Sequence, residues 1–145
     1  MTDWICQSAA STGCMSILNI ITGLICVFLA ILFLQSGLDK VFDRKGNLEW
    51  LEGHFKGSPL AFAVSLNLTI ITLLEILAGA FSAAGVLQLW FFGGKSFALL
   101  GVLLSAISII CLFFGQRLAK DYVGAAVLVN YFVLCLLGLY FLQLS

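Results

Sequence analysis

The protein has 145 residues, of which 62% are hydrophobic and 10% are charged, and its formal net charge is zero. Soluble domains are about 45–50% apolar and about 25% charged, so this chain lacks the polar surface that a water-facing globule requires. The mean hydropathy of +1.15 points the same way. Composition therefore predicts an integral membrane protein in a lipid bilayer, and the absence of a basic face excludes nucleic acid as an expected partner.

The chain begins with an N-terminal extension, residues 1–15, that has no basic n-region and no small-residue cleavage site. We therefore expect the first apolar segment to remain as a membrane span. A helical span needs about 20 mainly apolar residues, and four segments qualify: 16–38, 60–90, 96–115 and 122–144. The short breaks "FFGGKS" and "GQRLAKD" make sequential spans antiparallel neighbours. The predicted fold is all-α, an up-down four-helix bundle in a membrane.

The first loop, "KVFDRKGNLEWLEGHFKGSP", carries much of the polarity of the chain. Asn47 is a good N-cap, and the apolar residues that follow it recur at helical spacing until the "GSP" segment. This pattern predicts a short amphipathic helix at the membrane interface. Trp50 is expected to anchor that helix. His54 is interpreted as an interfacial or capping residue, with a role as ligand or proton carrier as the alternative.

The distribution of lysine and arginine predicts the orientation, because acidic residues contribute little to that rule. Only Lys95 falls on the side of the second loop. Six cations fall on the side of the first and third loops: Lys40, Arg44, Lys45, Lys56, Arg117 and Lys120. We therefore expect the first and third loops in the cytoplasm and both termini outside.

One acid, Glu75, lies inside the apolar stretch "TIITLLEILAGAFSAAG" of the second span. Small and hydroxylated residues share its side of the helix, and such residues belong at helix–helix contacts in membranes. Glu75 is therefore expected to face the bundle near the middle of the bilayer. Its expected hydrogen-bond partners are Thr72, Ser105, Ser108, Asn130 and Tyr131.

The nearest cations to Glu75, on Lys40, Arg44 and Arg117, are expected at the rim of the bundle and too far away for a direct salt bridge unless the bundle admits water. Without a cation the acid is expected to be protonated, because desolvation disfavours its charged form. An intramembrane acid is by default a functional hypothesis: a proton relay, or a hydrogen bond to a polar head such as a quinone carbonyl. The alternative is a protonated glutamate that locks helix packing.

A second group of polar residues is predicted at the cytoplasmic rim. Asp39, Lys40, Asp43 and Arg44 are spaced for pairing along the end of the first span, which gives a self-neutralised helix end. The functional alternative is a docking or substrate-polarising site that these residues form with three from the third loop: Arg117, Lys120 and Asp121.

The five cysteines, Cys6, Cys14, Cys26, Cys111 and Cys135, contain no C-x-x-C pair. Their scattered spacing argues against a zinc site or a disulfide framework, and we expect small buried hydrophobic residues, with a local Cys6–Cys14 disulfide as the alternative. The single histidine excludes a bis-histidine haem within one chain. We therefore expect no metal site and no covalently held cofactor.

Three segments resemble the DoxX family of small four-helix bacterial membrane proteins. They are "SGLDKVFDRKGNLEWLEGHFKGSPL", with G-x-x-K at the end of the first span, "TLLEILAGAFSAAG" and "DYVGAAVLVNYF". The resemblance runs from about residue 28 to residue 135. It implies that Lys40, Glu75 and Asp121 correspond to the family's polar residues. It also implies a link to a thiosulfate:quinone oxidoreductase, of which a DoxD-like protein is the membrane subunit. Thiol-redox relatives rely on cysteine pairs, which this sequence lacks.

Two functions follow as expectations. The first is a quinone-linked or partner-dependent membrane subunit of a redox system in the bacterial inner membrane, with quinone as the cofactor that it binds. The second is a non-enzymatic accessory or assembly subunit of a larger membrane complex. Both require a further membrane or peripheral protein, and abundant small residues on the helix faces are also compatible with a homo-oligomer. Transport of a proton or small anion ranks last, because the chain lacks paired interrupted helices.

Overall fold

The computed structural model describes residues 17–144, so the N-terminal extension, with Cys6 and Cys14, lies outside the described residues. Five α-helices make up most of the described chain: α1 (Ile17–Phe42), α2 (Arg44–His54), α3 (Val64–Leu87), α4 (Ser96–Leu118) and α5 (Tyr122–Leu144). Helices α1, α4 and α5, and the longer helical stretch Ala61–Phe92 that contains α3, are long and apolar enough to cross a membrane. The predicted all-α membrane bundle of four spans is confirmed.

The spans follow an up-down order in which each packs against the next and α5 returns to α1. The direction is visible near the two ends of α1: the Trp90 indole N–H donates to the carbonyl of Asn19, and Arg44, which follows α1 as the first residue of α2, donates to the hydroxyl of Thr69. Low residue numbers on one helix therefore meet high numbers on the other. Side chains of Cys26, Leu29, Phe33, Val102 and Cys135 fill the centre.

The end of the first span differs from the prediction in a way that matters for the site. Helix α1 continues to Phe42 and turns into α2 at Asp43, whose carboxylate accepts the Gly46 N–H at 3.1 Å as an N-cap. Asn47, predicted as the N-cap, instead lies inside α2 and donates its amide to the Asp43 carbonyl at 2.8 Å. Aspartate is as good an N-cap as asparagine, so the cap moves one turn earlier and α2 starts directly after α1.

At the opposite end of the bundle the second span finishes in a single π-helical segment, Gln88–Phe92. The Gln88 side chain accepts the Phe97 N–H at 2.8 Å, which satisfies one of the free N–H groups at the start of α4. Gly93 adopts a left-handed backbone, with φ of 70°, in the tight turn. A side-chain cap from the preceding span thus fixes the short connection.

Glycine lets α3 and α4 approach to backbone contact. A Cβ atom added to Gly101 would lie 2.5 Å from the backbone nitrogen of Ser82 and 2.6 Å from its hydroxyl oxygen. Small residues at helix contacts are the usual means of close packing in membranes, where lipid offers no hydrophobic drive for association between helices. The α3–α4 seam therefore depends on the absence of a side chain at position 101.

We expect Gly101→Ala to destabilise the bundle by about 1–3 kcal/mol, because the added methyl group must displace backbone atoms of α3. Gly115→Ala on the same helix is the matched control, since its Cβ would meet the nearest atom, on Phe55, at 3.5 Å, an ordinary contact. The free energy of unfolding in mixed detergent micelles measures both. Equal stability of the two variants would contradict the packing that we describe.

Candidate functional site

A buried ionic cluster joins α1 to α3. The Lys40 ammonium lies 2.9 Å from Oε2 of Glu75 and 3.2 Å from Oε1. The contact to Oε2 is a charge–charge contact, whereas the alignment at Oε1 is that of a hydrogen bond. Ser36 completes the cluster: its hydroxyl accepts from Lys40 at 2.7 Å and donates to Oε1 of Glu75 at 3.2 Å. The Glu75 side chain is 1% exposed and that of Lys40 is 17% exposed.

The prediction that Lys40 lies too far away for a direct salt bridge with Glu75 is therefore wrong. It rested on a first span that ends at residue 38, which would leave Lys40 in the loop. In the structure α1 runs on to Phe42, so Lys40 is still helical and lies one turn after Ser36. Side chains on a helix tilt toward its N-terminus, so the flexible lysine stem carries the ammonium back into the bundle. The expectation of a protonated Glu75 loses its premise, because a cation is in contact.

A glycine makes this contact sterically feasible. Gly37 faces α3, and a Cβ there would lie 2.8 Å from a side-chain carbon of Ile76 and 3.5 Å from Cβ of Glu75. The two backbones can therefore approach closely at the level of the ion pair. The G-x-x-K segment thus supplies both the close approach, at Gly37, and the cation, at Lys40.

The expected partners of Glu75 lie elsewhere. The hydroxyls of Thr72 and Ser105 donate to the carbonyls of Leu68 and Gly101 in their own helices, at 2.6 and 2.8 Å. Ser108 is buried, and its hydroxyl has no hydrogen-bond partner among the described residues. The prediction that Glu75 faces the bundle agrees with its burial, but the structure does not bring these three hydroxyls to its carboxylate.

The two predicted partners on α5 are also separated from Glu75. The ring of Tyr131 stacks on that of Phe28 of α1, with centroids 6.2 Å apart. Asn130 is exposed on the outer surface of α5. The helical wheel of α3 alone placed Glu75 toward the bundle, but it could not select which neighbouring helix the carboxylate would reach.

A cavity of about 460 Å³ lies beside the ionic cluster, between α2, α3 and α4. Its walls are mostly apolar and include Leu51, Leu68, Ile71 and Leu112, while Lys40 contributes a charged group. Cavities of about 300–1,000 Å³ with apolar walls and few polar groups are typical of small-molecule sites. The amphipathic helix predicted in the first loop corresponds to α2, and α2 forms one wall of this cavity.

Several polar side chains also line the cavity. Asn67, in the first turn of α3, lines the wall, and no hydrogen bond to its side chain is found within residues 17–144. His54 and Gln116 also line the cavity, with His54 Nε2 3.0 Å from Oε1 of Gln116. The cavity thus has carboxamide and imidazole side chains and the side chain of Lys40 in its lining, within apolar walls that suit a hydrocarbon tail.

The histidine is held by its surroundings. Its ring stacks on Trp50 at 4.6 Å between centroids, and its Nε2 lies 3.7 Å from Oδ2 of Asp121. Asp121 also accepts the Gly124 N–H at 2.8 Å, so it caps α5 while it faces His54. His54 lines both the large cavity and a smaller polar one of about 110 Å³ that includes Lys56 and Lys120. It therefore separates the apolar cavity from the polar one.

The remaining rim residues do not form one cluster. Arg44 donates to the hydroxyl of Thr69 at 2.7 Å, and Arg117 lies over the ring of Tyr122 at 4.7 Å. Asp43 caps α2, the Asp39 carbonyl accepts the N–H of Asp43 at 3.0 Å, and Lys120 adopts a left-handed backbone with φ of 62°. The predicted pairing along the end of α1 is thus replaced by contacts that join this end to α2 and α3.

Sequence reasoning missed three residues of this region: Ser36, Asn67 and Gln116. Ser36 carries a signal, since it stands four residues before Lys40 and so shares its helix face. Asn67 and Gln116 are polar residues near span ends, where polar residues are common, and only the fold places them around one cavity.

Residues 17–144 contain no group of three or more histidine, cysteine or acidic residues placed to bind a metal ion. The cysteines in this part of the chain are free: Cys26 and Cys135 are buried and Cys111 is exposed. Cys111 lines the large cavity as well.

No protein-family model, curated protein or solved structure matches this chain.

We expect Lys40→Met to destabilise the protein by about 3 kcal/mol, because it leaves a buried carboxylate without its cation. The double variant Lys40→Met/Glu75→Gln should recover most of this loss, since a neutral amide needs no counter-charge. Denaturant titration in micelles measures all three proteins. Lys45→Met is the control and should change little, because Lys45 is 91% exposed and lies 4.0 Å from Glu49. A double variant no more stable than Lys40→Met would refute the pairing.

Proposed function

We propose that this protein is a quinone-binding membrane subunit of a redox system, and that the quinone occupies the cavity between α2, α3 and α4. The observation that carries this proposal is the cavity itself, about 460 Å³, with apolar walls and a small set of polar groups next to a buried ion pair. A quinone has the matching form, a flat ring with two carbonyl acceptors and an apolar tail.

The polar groups have distinct roles in this proposal. The carboxamide of Asn67 and the free amide group of Gln116 are the donors to the quinone carbonyl oxygens. The ring and tail pack against the apolar walls, and Trp50 lies beside them on α2. Lys40 has its hydrogen-bonding capacity taken by Ser36 and Glu75, so it acts on the quinone through its charge.

Reduction of a quinone to a quinol takes up two electrons and two protons. In the proposed reaction the electrons come from a partner subunit that holds an electron carrier. The protons reach the carbonyl oxygens from the side of His54, which lines both the apolar cavity and the polar one and lies 3.7 Å from Asp121. The protein's part is to bind the quinone, orient it and supply the path for protons.

The DoxX-like segments support the same proposal. The first-loop segment contributes Lys40 and α2, and the second-span segment contributes Glu75, so two of the three segments meet at the ion pair. Asp121, from the third segment, lies 3.7 Å from His54, which lines the cavity. On this basis we propose a DoxX-like protein of the bacterial inner membrane.

The proposed orientation places α2 and the α4–α5 connection in the cytoplasm. Contacts between His54 and Gln116 hold these two segments at one end of the bundle. Lys95 lies at the other end, where it donates to the carbonyl of Leu142 at 3.0 Å. Six of the seven cations in the sequence therefore belong to a single end, as expected for cytoplasmic loops.

A second candidate function is an accessory or assembly subunit without a redox ligand. It is favoured by the Lys40–Ser36–Glu75 cluster, whose members contact one another across the bundle and so can hold α1 against α3. Native mass spectrometry of protein extracted in mild detergent separates the two functions. A retained quinone supports the redox subunit, whereas a retained protein partner without quinone supports the accessory role.

We expect a short-chain quinone to quench the fluorescence of Trp50, because this residue lines the cavity. Asn67→Leu should weaken quinone binding by about tenfold, the loss of one hydrogen bond. Ile71→Trp should abolish binding by filling the cavity. Titration of quinone against protein in nanodiscs gives the dissociation constants.

The matched control for the filled cavity is Leu73→Trp, on the same helix but 58% exposed and outside the cavity lining. It should bind quinone like the unmodified protein. The Trp50→Phe variant tests whether Trp50 is the quenched residue, because any quenching that persists in this variant comes from another tryptophan. Equal affinity in the Ile71→Trp and Leu73→Trp variants would exclude this cavity as the quinone site.

The orientation predicts that a cysteine at position 96 is labelled by a membrane-impermeant maleimide in intact cells and a cysteine at position 45 is not. Ser96→Cys and Lys45→Cys are introduced into a Cys6→Ser/Cys14→Ser/Cys111→Ser background, which leaves only buried cysteines. Both should be labelled once the membrane is opened. The reverse labelling pattern in intact cells would show that the protein has the opposite orientation in the membrane.

A further inference from the structure

Asn130 is a carboxamide on the outside of a membrane span. It follows the first residue of α5, Tyr122, by eight positions, which is about 12 Å along the helix. Its side chain is exposed, and no hydrogen bond joins it to another residue of the described range 17–144. A polar group that faces hydrocarbon without a partner is unfavourable. The position of Asn130 therefore indicates a partner that covers this face.

The other exposed amide on the middle part of a span, Gln35 of α1, does not require such a partner. It lies one turn before Asp39, near the charged end of α1, and its longer side chain can reach toward that end. The exposed polar residues Ser65 and Gln143 lie within the terminal turns of their helices. Asn130 has a shorter side chain than Gln35 and lies farther from the end of its helix, so its amide cannot reach the polar interface in the same way.

The exposed residues around Asn130 have the spacing of a coiled coil. Val123, Ala126, Asn130, Val133, Leu137 and Tyr140 follow one another at alternating intervals of three and four, and all are exposed. This heptad spacing forms a seam along which two helices pack at a small left-handed crossing angle. A single asparagine within such a seam fixes register and the number of helices. The face of α5 away from the bundle thus carries a complete helix-pairing pattern.

We propose that a second copy of this chain covers the face, so that two α5 helices pack in parallel in a homodimer with its two-fold axis along the membrane normal. All copies insert in the same direction, so this symmetry places the two Asn130 side chains at the same depth. A carboxamide is both donor and acceptor, so each can donate to the other. No other occupant is guaranteed to present a complementary group at that depth.

The dimer is independent of the proposed quinone site. The cavity lies between α2, α3 and α4, and its lining includes no residue of α5. Pairing through the outer face of α5 therefore leaves the cavity open in both copies.

Cysteine crosslinking in native membranes tests the seam. In the Cys6→Ser/Cys14→Ser/Cys111→Ser background, Leu137→Cys should form a covalent dimer under mild oxidation. Leu136→Cys is the matched control, because it is the adjacent leucine at the same depth with similar exposure, 48% against 45%, but points about 100° away. Equal crosslinking at both positions, or none at 137, would overturn the proposal.

Substitution of Asn130 tests the amide. Asn130→Leu should weaken dimerisation by about three- to thirtyfold, the range for an interhelical hydrogen bond in a membrane, while Asn130→Gln should retain most of it. Single-molecule photobleaching or fluorescence transfer in vesicles measures the dimer fraction against protein density. The unfolding free energy of the monomer should stay unchanged, since Asn130 lies outside the bundle. An unchanged dimer fraction in Asn130→Leu, or a crosslink from position 137 only to a different protein, would refute the homodimer.

Discussion

The buried pair of Lys40 and Glu75 is the interaction on which the arrangement of this end of the bundle depends. A carboxylate that is 1% exposed within a membrane span carries a large desolvation cost, and a cation in contact offsets it. That cation comes from the last turn of α1, so α1 must be long enough to hold it. The residue at position 37 must also be small enough to let α3 approach. The ion pair therefore depends on both the length of α1 and the glycine at position 37.

The length of α1 and the ion pair also determine where the cavity forms. Because α1 turns into α2 at Asp43, close after Lys40, α2 begins near the ionic cluster and extends over the ends of α3 and α4. The contact of His54 with Gln116 then fixes the far end of α2 against α4. The cavity is the space left between these three helices, with Lys40 among its lining residues. A ligand there would be near the only buried ion pair found among residues 17–144.

Some polar groups inside the bundle are paired across helices, as in Ser36, Lys40 and Glu75, and others bond to their own helix, as Thr72 does. The buried hydroxyls of Thr22, Ser82 and Ser108 have no hydrogen-bond partner among residues 17–144. Asn130 differs from all of these, because its side chain points away from the bundle. In water this would need no explanation, since solvent would satisfy the amide. In hydrocarbon the amide needs a protein partner, and so a residue outside the core becomes informative about assembly.

The amino-acid sequence by itself determined that the chain spans a membrane, with four helices in an up-down order and an amphipathic helix in the first loop. These features follow from local quantities, namely apolar length, helical periodicity and loop length, which need no knowledge of distant contacts. It also placed Glu75 toward the bundle, because the small residues of α3 share its face. The tertiary structure alone decided that Lys40 and Ser36 are its partners, that Asn67 and Gln116 meet at one cavity, and that Asn130 faces outward. Those outcomes depend on which faces of separate helices meet and at what height, and such choices are made by packing between helices far apart in sequence.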